Sequence, residues 1–266
     1  MASKISAIVI EDSVCENGKR LTTLQLQYPR FIHAEFMTHR MFSRNASSSR
    51  AIPVAKMIEQ VRNDPAMPIY WGMNQPGMQS AQELEGDAKQ NAIDTWIMSA
   101  NLACLQAEIM VANNVHKQVA NRLLEPFQWM HVVCTATEWD NFFELRLHPA
   151  AQPEIQELAR VMKEAIDNSA PSAATFRGTG VWHLPYITHE ERMRESYLDL
   201  AKMSAARCAR VSYMKHDGGS PSKEEDLKLF DRLVGSKPIH ASPTEHQATP
   251  LVSEEFTSGN FKGWCQ

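Results

Sequence analysis

This chain of 266 residues has no paired cysteines, little net charge and no long apolar run. The five cysteines (Cys15, Cys104, Cys134, Cys208, Cys265) are odd in number, scattered and in no C-x-x-C pair. That argues against structural zinc and a disulfide framework, and for reduced thiols in a cytoplasmic compartment. No run approaches membrane-spanning length, and Met1-Ala2-Ser3-Lys4 has no signal-peptide core, so no membrane partner is expected. A net charge of −4 offers no field for a polyanion, which removes a nucleic-acid-binding face. Arg177-Gly178-Thr179-Gly180 lacks the third glycine of a dinucleotide-binding turn. There is no short repeat and no low-complexity segment. With 43% apolar and 22% charged residues, what remains is an ordinary globular composition with enough chain for a real core.

Against that background one stretch stands out. Thr38-His39-Arg40-Met41-Phe42-Ser43-Arg44-Asn45-Ala46-Ser47-Ser48-Ser49-Arg50 holds three arginines, a histidine, an asparagine and four serines. Arginine presents a planar fork of donors suited to phosphate, and serine hydroxyls complete such a cradle. With no carboxylate inside the stretch, a compact anion is its natural partner. The plain alternative is a solvated basic loop.

Periodicity places the stretch in a mixed α/β chain. Residues 5–10 and 20–28 read as strands, the second alternating apolar with polar. Pro29 suits the start of a helix over 30–41, a loop follows over Ser43–Arg50, and Pro53 restarts a helix to about Arg62. Residues 63–78 read as a connection, Ser80–Asn114 as a long helix, 116–124 as a helix and 128–137 as β. Two helices follow over Glu138–Leu147 and Pro153–Asn168, then a joint over 169–187. Capping boxes at Thr188–Glu191 and Ser222–Glu225 open helices to about Arg210 and Val234, and the tail from Ser236 reads as loop.

Read together, these motifs resemble the flavin-dependent thymidylate synthases, the ThyX family, whose mark is an R-H-R-x7-S signature. His39-Arg40, Ser43, Asn45, Ser48 and Arg50 fall on matching positions, with Thr38 in place of the first arginine and Ala46 in place of a glutamate. Arg122–Pro126 resembles an R-x-x-L-P element with Glu125 for leucine. Asn141–Arg146 resembles an N-F-L-x-L-R helix, and Ala151–Ile155 an A-Q-x-E-I start. Elements normally ahead of the signature stand here at the other end, as Ala205-Ala206-Arg207 through Ser212-Tyr213 and as His240 through His246. The resemblance therefore implies a ThyX-like fold in permuted order, or a duplication that lost complementary halves: one domain over 1–266, a mixed sheet flanked by long helices. Residues 1–168 would be its signature part and 188–266 the displaced block. Permutation is reasonable because domain termini often lie close together.

The activity so implied is reductive methylation of dUMP to dTMP in a homotetramer, using FAD, NADPH and methylenetetrahydrofolate. Position by position, Glu35, Ser48, Ser49, Arg50, Arg122 and Arg146 would hold the nucleotide. Thr38, His39, Arg40, Asn45, Asn141 and His240 would face the flavin. Arg146 and Ser48 are the candidates for catalytic work, because a guanidinium can stabilise charge on the pyrimidine carbonyls as C5 turns nucleophilic. Salt bridging of Arg146 to Glu144 or Glu154 is the structural alternative. Glu35, where the family usually has glutamine, would contact a sugar hydroxyl or a base edge. His240 and His246 find no third metal ligand at useful spacing. No cysteine sits in the Pro-Cys-Gln context of a cysteine-nucleophile enzyme. Trp71, Trp96, Trp129 and Trp139 could stack on a ring system, with core packing the alternative for each. The altered signature leaves two other readings open: a hydroxymethylase or dCMP-acting relative, and a non-catalytic nucleotide-binding protein on the same scaffold.

Overall fold

The computed structural model describes residues 4–174, 183–212, 221–251 and 260–266. Arg177–Gly180 and Tyr213 lie outside them.

β1 (Ser6–Cys15) and β2 (Arg20–Pro29) form an antiparallel hairpin, with Gly18 at φ 79 in its turn, the left-handed region that favours glycine. A 3-10 turn over Arg30–Ile32 leads into the short α1 (His33–Phe36). β3 (Ser43–Ala46), α2 (Val54–Asn63), α3 (Gly86–Ala112) and α4 (Lys117–Ala120) follow. A 3-10 segment over Asn121–Phe127 precedes β4 (Trp129–Ala136), α5 (Asp140–Arg146), α6 (Pro153–Asp167) and β5 (Ser172–Ala174). The remaining elements are α7 (His189–Arg194), α8 (Tyr197–Ala209), α9 (Lys223–Leu233), β6 (Thr249–Pro250) and β7 (Trp264–Cys265). The strand order is β3-β4-β2-β1-β5, antiparallel except for β1 with β5, so the sheet is mixed as expected.

Four expectations change. The helix expected over 30–41 closes at Phe36, because the Thr38 hydroxyl donates to Glu35 O at 2.7 Å and Arg44 to Met37 O at 2.9 Å. Those side chains take carbonyls that a further helical turn would have used. Ser43–Ala46 is an edge strand paired with β4 and not a loop. The helix after Thr188 breaks at Glu195, and Ser196 caps a second one by accepting from Asp199 N at 3.3 Å. The joint holds the short strand β5.

One sheet face is apolar. Leu24, Leu26 and Tyr28 of β2 and Met130, Val132 and Cys134 of β4 pack with Ile155, Leu158 and Met162 of α6. The other face carries a buried polar chain beneath the C-terminal residues. Ser13 Oγ meets His183 Nδ1 at 2.9 Å, Thr23 Oγ1 meets His183 Nε2 at 2.7 Å and Thr135 Oγ1 at 2.7 Å, and Thr135 Oγ1 meets His246 Nδ1 at 2.8 Å. This polar face is thus a docking surface for His183 and His246. Burial holds His183 well below the usual imidazole range and His246 down to about 3, so both are neutral.

A second core joins Met57, Ile58 and Val61 of α2 to Cys104 and Ala107 of α3. On its far side α3 leaves Met98, Leu102, Leu105 and Ile109 exposed at the spacing of a helix-packing seam.

Candidate active site

β3 delivers the chain to the Ser47–Arg50 turn, and residues from 117–131 fix that turn from beneath. Ser47 N donates to His131 O at 2.8 Å, and the fully buried Asn121 donates to Ser49 O at 2.6 Å and Ile52 O at 3.0 Å. Lys117 Nζ donates to Ala51 O at 3.0 Å. With the backbone held, alternate side chains point opposite ways. Ser47 and Ser49 are buried, whereas Ser48 and Arg50 open into a cleft of about 310 Å³.

The opposite wall of the cleft is His240, Ser242 and Pro243 from the C-terminal block. Asn45 ties the walls together, donating to Cys208 O at 2.7 Å and accepting from Ser242 Oγ at 3.1 Å. Gln266 adds a second tie, from Nε2 to Ser43 Oγ at 2.8 Å. Ser43 and Asn45 of β3 therefore meet Cys208, Ser242 and Gln266 within one chain. Arg50 is exposed and has no ion partner among the described residues. His116 and Gln118 also line the cleft. No sequence signal marks them, since His116 reads only as a helix cap, accepting from Gln118 N at 3.3 Å.

A second cluster forms around Arg146. Its Nε donates to His39 Nε2 at 2.9 Å, and its Nη2 approaches Thr38 Oγ1 at 3.3 Å and Glu35 O at 3.5 Å. The salt bridges to Glu144 or Glu154 do not form: Glu154 instead accepts from Ile69 N at 2.9 Å. His39 is buried edge-on against Phe142, with ring centroids 4.8 Å apart. Burial, with Arg146 and Arg44 beside it, lowers its pKa to about 4. It is a neutral acceptor that orients Arg146. The buried Glu35 Oε2 has no hydrogen-bond partner among the described residues.

Ser49 and Arg122 fall into a third cluster. Glu125 Oε1 accepts from Arg122 Nη1 at 2.7 Å and Ser49 Oγ at 2.9 Å, and pairs with Arg30 Nη2 at 3.0 Å. Arg40 and Asn141 are exposed and line none of these groups. The structure thus brings Asn45, Ser48, Arg50 and His240 together, and separately Glu35, Thr38, His39 and Arg146. His39 does not line the cleft of His240. The tryptophans pack: Trp96 lies edge-on to Trp71, Phe31 and Phe127, Trp139 packs on Phe42, and Trp129 Nε1 donates to Asp64 O at 3.2 Å.

Residues 20–172 match the family described as thymidylate synthase complementing protein. Among solved structures the chain is similar to the UMP/dUMP methylase PolB from Streptomyces cacaoi bound with 5-Br UMP. That likeness has 16% identity over 62% of this chain and 89% of that one, at a TM-score of 0.52. The same methylase bound with 5-Br dUMP gives 14% identity over 62% and 90%, at 0.51. The flavin-dependent thymidylate synthase ThyX from Helicobacter pylori, complexed with FAD and dUMP, gives 19% over 55% and 67%, at 0.40. No curated protein matches.

Proposed function

The chain belongs to the thymidylate synthase complementing protein family, and on that premise we propose that it methylates dUMP to dTMP as a flavoprotein. Methylenetetrahydrofolate is the carbon donor in this reading and NADPH the reductant. The observation that carries it is the cleft in which Ser48 and Arg50 face His240 and Ser242, a cation and hydrogen-bonding groups with no carboxylate among the described lining residues.

The donor set fits the anionic and ring-edge parts of a nucleotide. At about 310 Å³ the cleft is at the small end of ligand cavities, which run from ~300 to ~1,000 Å³. It has room for one nucleotide, and we assign the remaining walls of a flavin site to further copies of the chain in a homotetramer. The exposed Met98–Ile109 seam of α3 supports such association.

In this reading Ser48 and Arg50 hold the nucleotide, and Asn45 and His240 hold the adjoining ring system. Arg146 is the catalytic residue. Its Nη1, which has no partner among the described residues, stabilises negative charge on a pyrimidine carbonyl, while His39 fixes the plane of the group through Nε. Neutrality of His39 keeps it from repelling that cation. Bound reduced FAD supplies the hydride.

A second reading rests on Thr38. Where a guanidinium would stand in the signature, the chain has a hydroxyl committed to Glu35 O, which changes the charge beside Arg146. A dCMP-acting or hydroxymethylating enzyme would suit that change. The test is to incubate purified protein with dUMP, UMP or dCMP, methylenetetrahydrofolate and NADPH, and weigh the product. The expected result is a yellow protein that makes dTMP. A hydroxymethyl product or a dCMP preference moves the chain to the second reading, and a colourless, inert preparation leaves only nucleotide binding.

A further inference from the structure

Among the described residues Glu125 is the carboxylate that reaches the basic residues around the Ser47–Arg50 turn, and its geometry is uneven. Arg122 and Ser49 donate to Oε1 at 2.7 and 2.9 Å, and Arg30 Nη2 forms an ion pair with the same oxygen at 3.0 Å. Its other oxygen takes none of them. Two guanidinium groups against one carboxylate leave the cluster with an excess of one positive charge. Arginine prefers to meet an anion through two parallel bonds, and here Arg122 makes one bond and Arg30 only an ion pair to the shared atom.

The parts of the cluster also differ in freedom. Ser49 is held by Asn121, and Arg30 N donates to Gln128 O at 2.9 Å at the end of β2. Arg122, by contrast, has 52% of its side chain exposed, and Glu125 has 21% exposed on the same short 3-10 segment. Fixed donors therefore lie beneath, and a half-open ion pair of the weak kind found at surfaces lies above. A phosphate monoester brings three oxygens to the three donors that now crowd one. Ser49 stands between Ser48 and Arg50, so an anion that claimed it would sit against the back of the turn lining the cleft.

We propose that Glu125 is an internal competitor for phosphate: it occupies Arg30, Arg122 and Ser49 when no anion is bound, and a phosphate monoester must displace it. Glu125 then sets how tightly the chain takes a nucleotide and lets a weakly charged ligand pass unheld. The nucleotide reading of the site supplies only the identity of the anion, and inorganic phosphate probes the competition by itself.

The experiment is calorimetric titration of the full chain and its Glu125→Gln variant with inorganic phosphate and with dUMP, alongside thermal melting. Glutamine keeps the shape and removes the charge, so both anions should bind about tenfold tighter, equivalent to about 1.4 kcal/mol. Adding Arg122→Ala to that variant should cancel the gain. Equal or weaker binding by a folded Glu125→Gln protein overturns the proposal, as does a gain that survives loss of Arg122. If Glu125→Gln fails to fold, Glu125→Asp decides: its carboxylate is drawn back by one methylene, and a smaller gain is expected, with none counting as refutation. A colourless protein whose variant gains phosphate affinity keeps this inference and loses the flavoenzyme reading. A flavoprotein whose variant gains nothing does the reverse.

Discussion

Two groups of arginines in this chain have opposite fates. In the C-terminal block Arg207 donates Nε to Asp226 at 2.8 Å and Nη2 to Glu191 at 2.5 Å, and Arg210 reaches the other Asp226 oxygen at 3.0 Å. Asp226 is completely buried, and the hydrogen bonds from Arg207 hold the Glu191 carboxyl down to about 2. In the signature, Arg44 satisfies only backbone carbonyls, and Arg40 and Arg50 reach no carboxylate among the described residues. One group has its charge matched and serves the fold. The other has no carboxylate partner among the described residues.

The sharpest way to break this contrast is to remove a partner from the matched group. Asp226→Ala would leave the partly buried Arg210 without a carboxylate among the described residues and Arg207 with Glu191 alone, and the expected stability loss is about 3–5 kcal/mol, read by urea unfolding. A loss below about 1 kcal/mol would put both groups in the same class. Arg50→Ala should do the opposite. We expect stability to stay within about 0.5 kcal/mol while dUMP affinity falls by about 1.5–3 kcal/mol, checked by melting and titration on one preparation.

The buried histidines sharpen the picture through pH. His183 and His246 are lowered from 6.5, and His33 and His39 are lowered to about 4. Below pH 6.5 the unfolded chain takes up protons that the folded chain refuses, so stability falls on acidification by about 1.4 kcal/mol per pH unit for each such group. Glu11, raised to about 7 by burial, acts in the opposite sense between its ordinary 4.5 and that value and offsets one histidine. Denaturant midpoints should therefore drop between pH 6.5 and 4.5, and His246→Gln should flatten the drop. The smallest effect belongs to the caps: Ser222→Ala removes one side of a capping box on α9 and should cost about 1 kcal/mol in a melting experiment, without changing ligand binding.

How much of this was legible depended on how local its cause was. The capping boxes at Thr188 and Ser222 and the proline ahead of α2 are short-range signals, and they appear where expected. β3 was not legible, because Ser43-Arg44-Asn45-Ala46 has no strand composition. It pairs on one side only, at an edge where polar residues are tolerated. The polar half of β2 gave no hint that His183 and His246 would cover it, since those contacts span more than 100 residues. Within the site, the motif named Asn45, Ser48, Arg50 and His240, and the fold brings them to one cleft. It could not show that Glu125 captures Ser49 and Arg122, because Arg30 joins that cluster from the end of another strand.

The central claim is that the signature arginines hold unmatched charge for a nucleotide, and dUMP titration into Arg50→Ala and into the parent chain tests it most directly. At equal melting temperature the variant should bind dUMP at least tenfold more weakly. Equal affinity in the two proteins would mean that the charge at Arg50 serves no ligand, and the assignment of the cleft would fail.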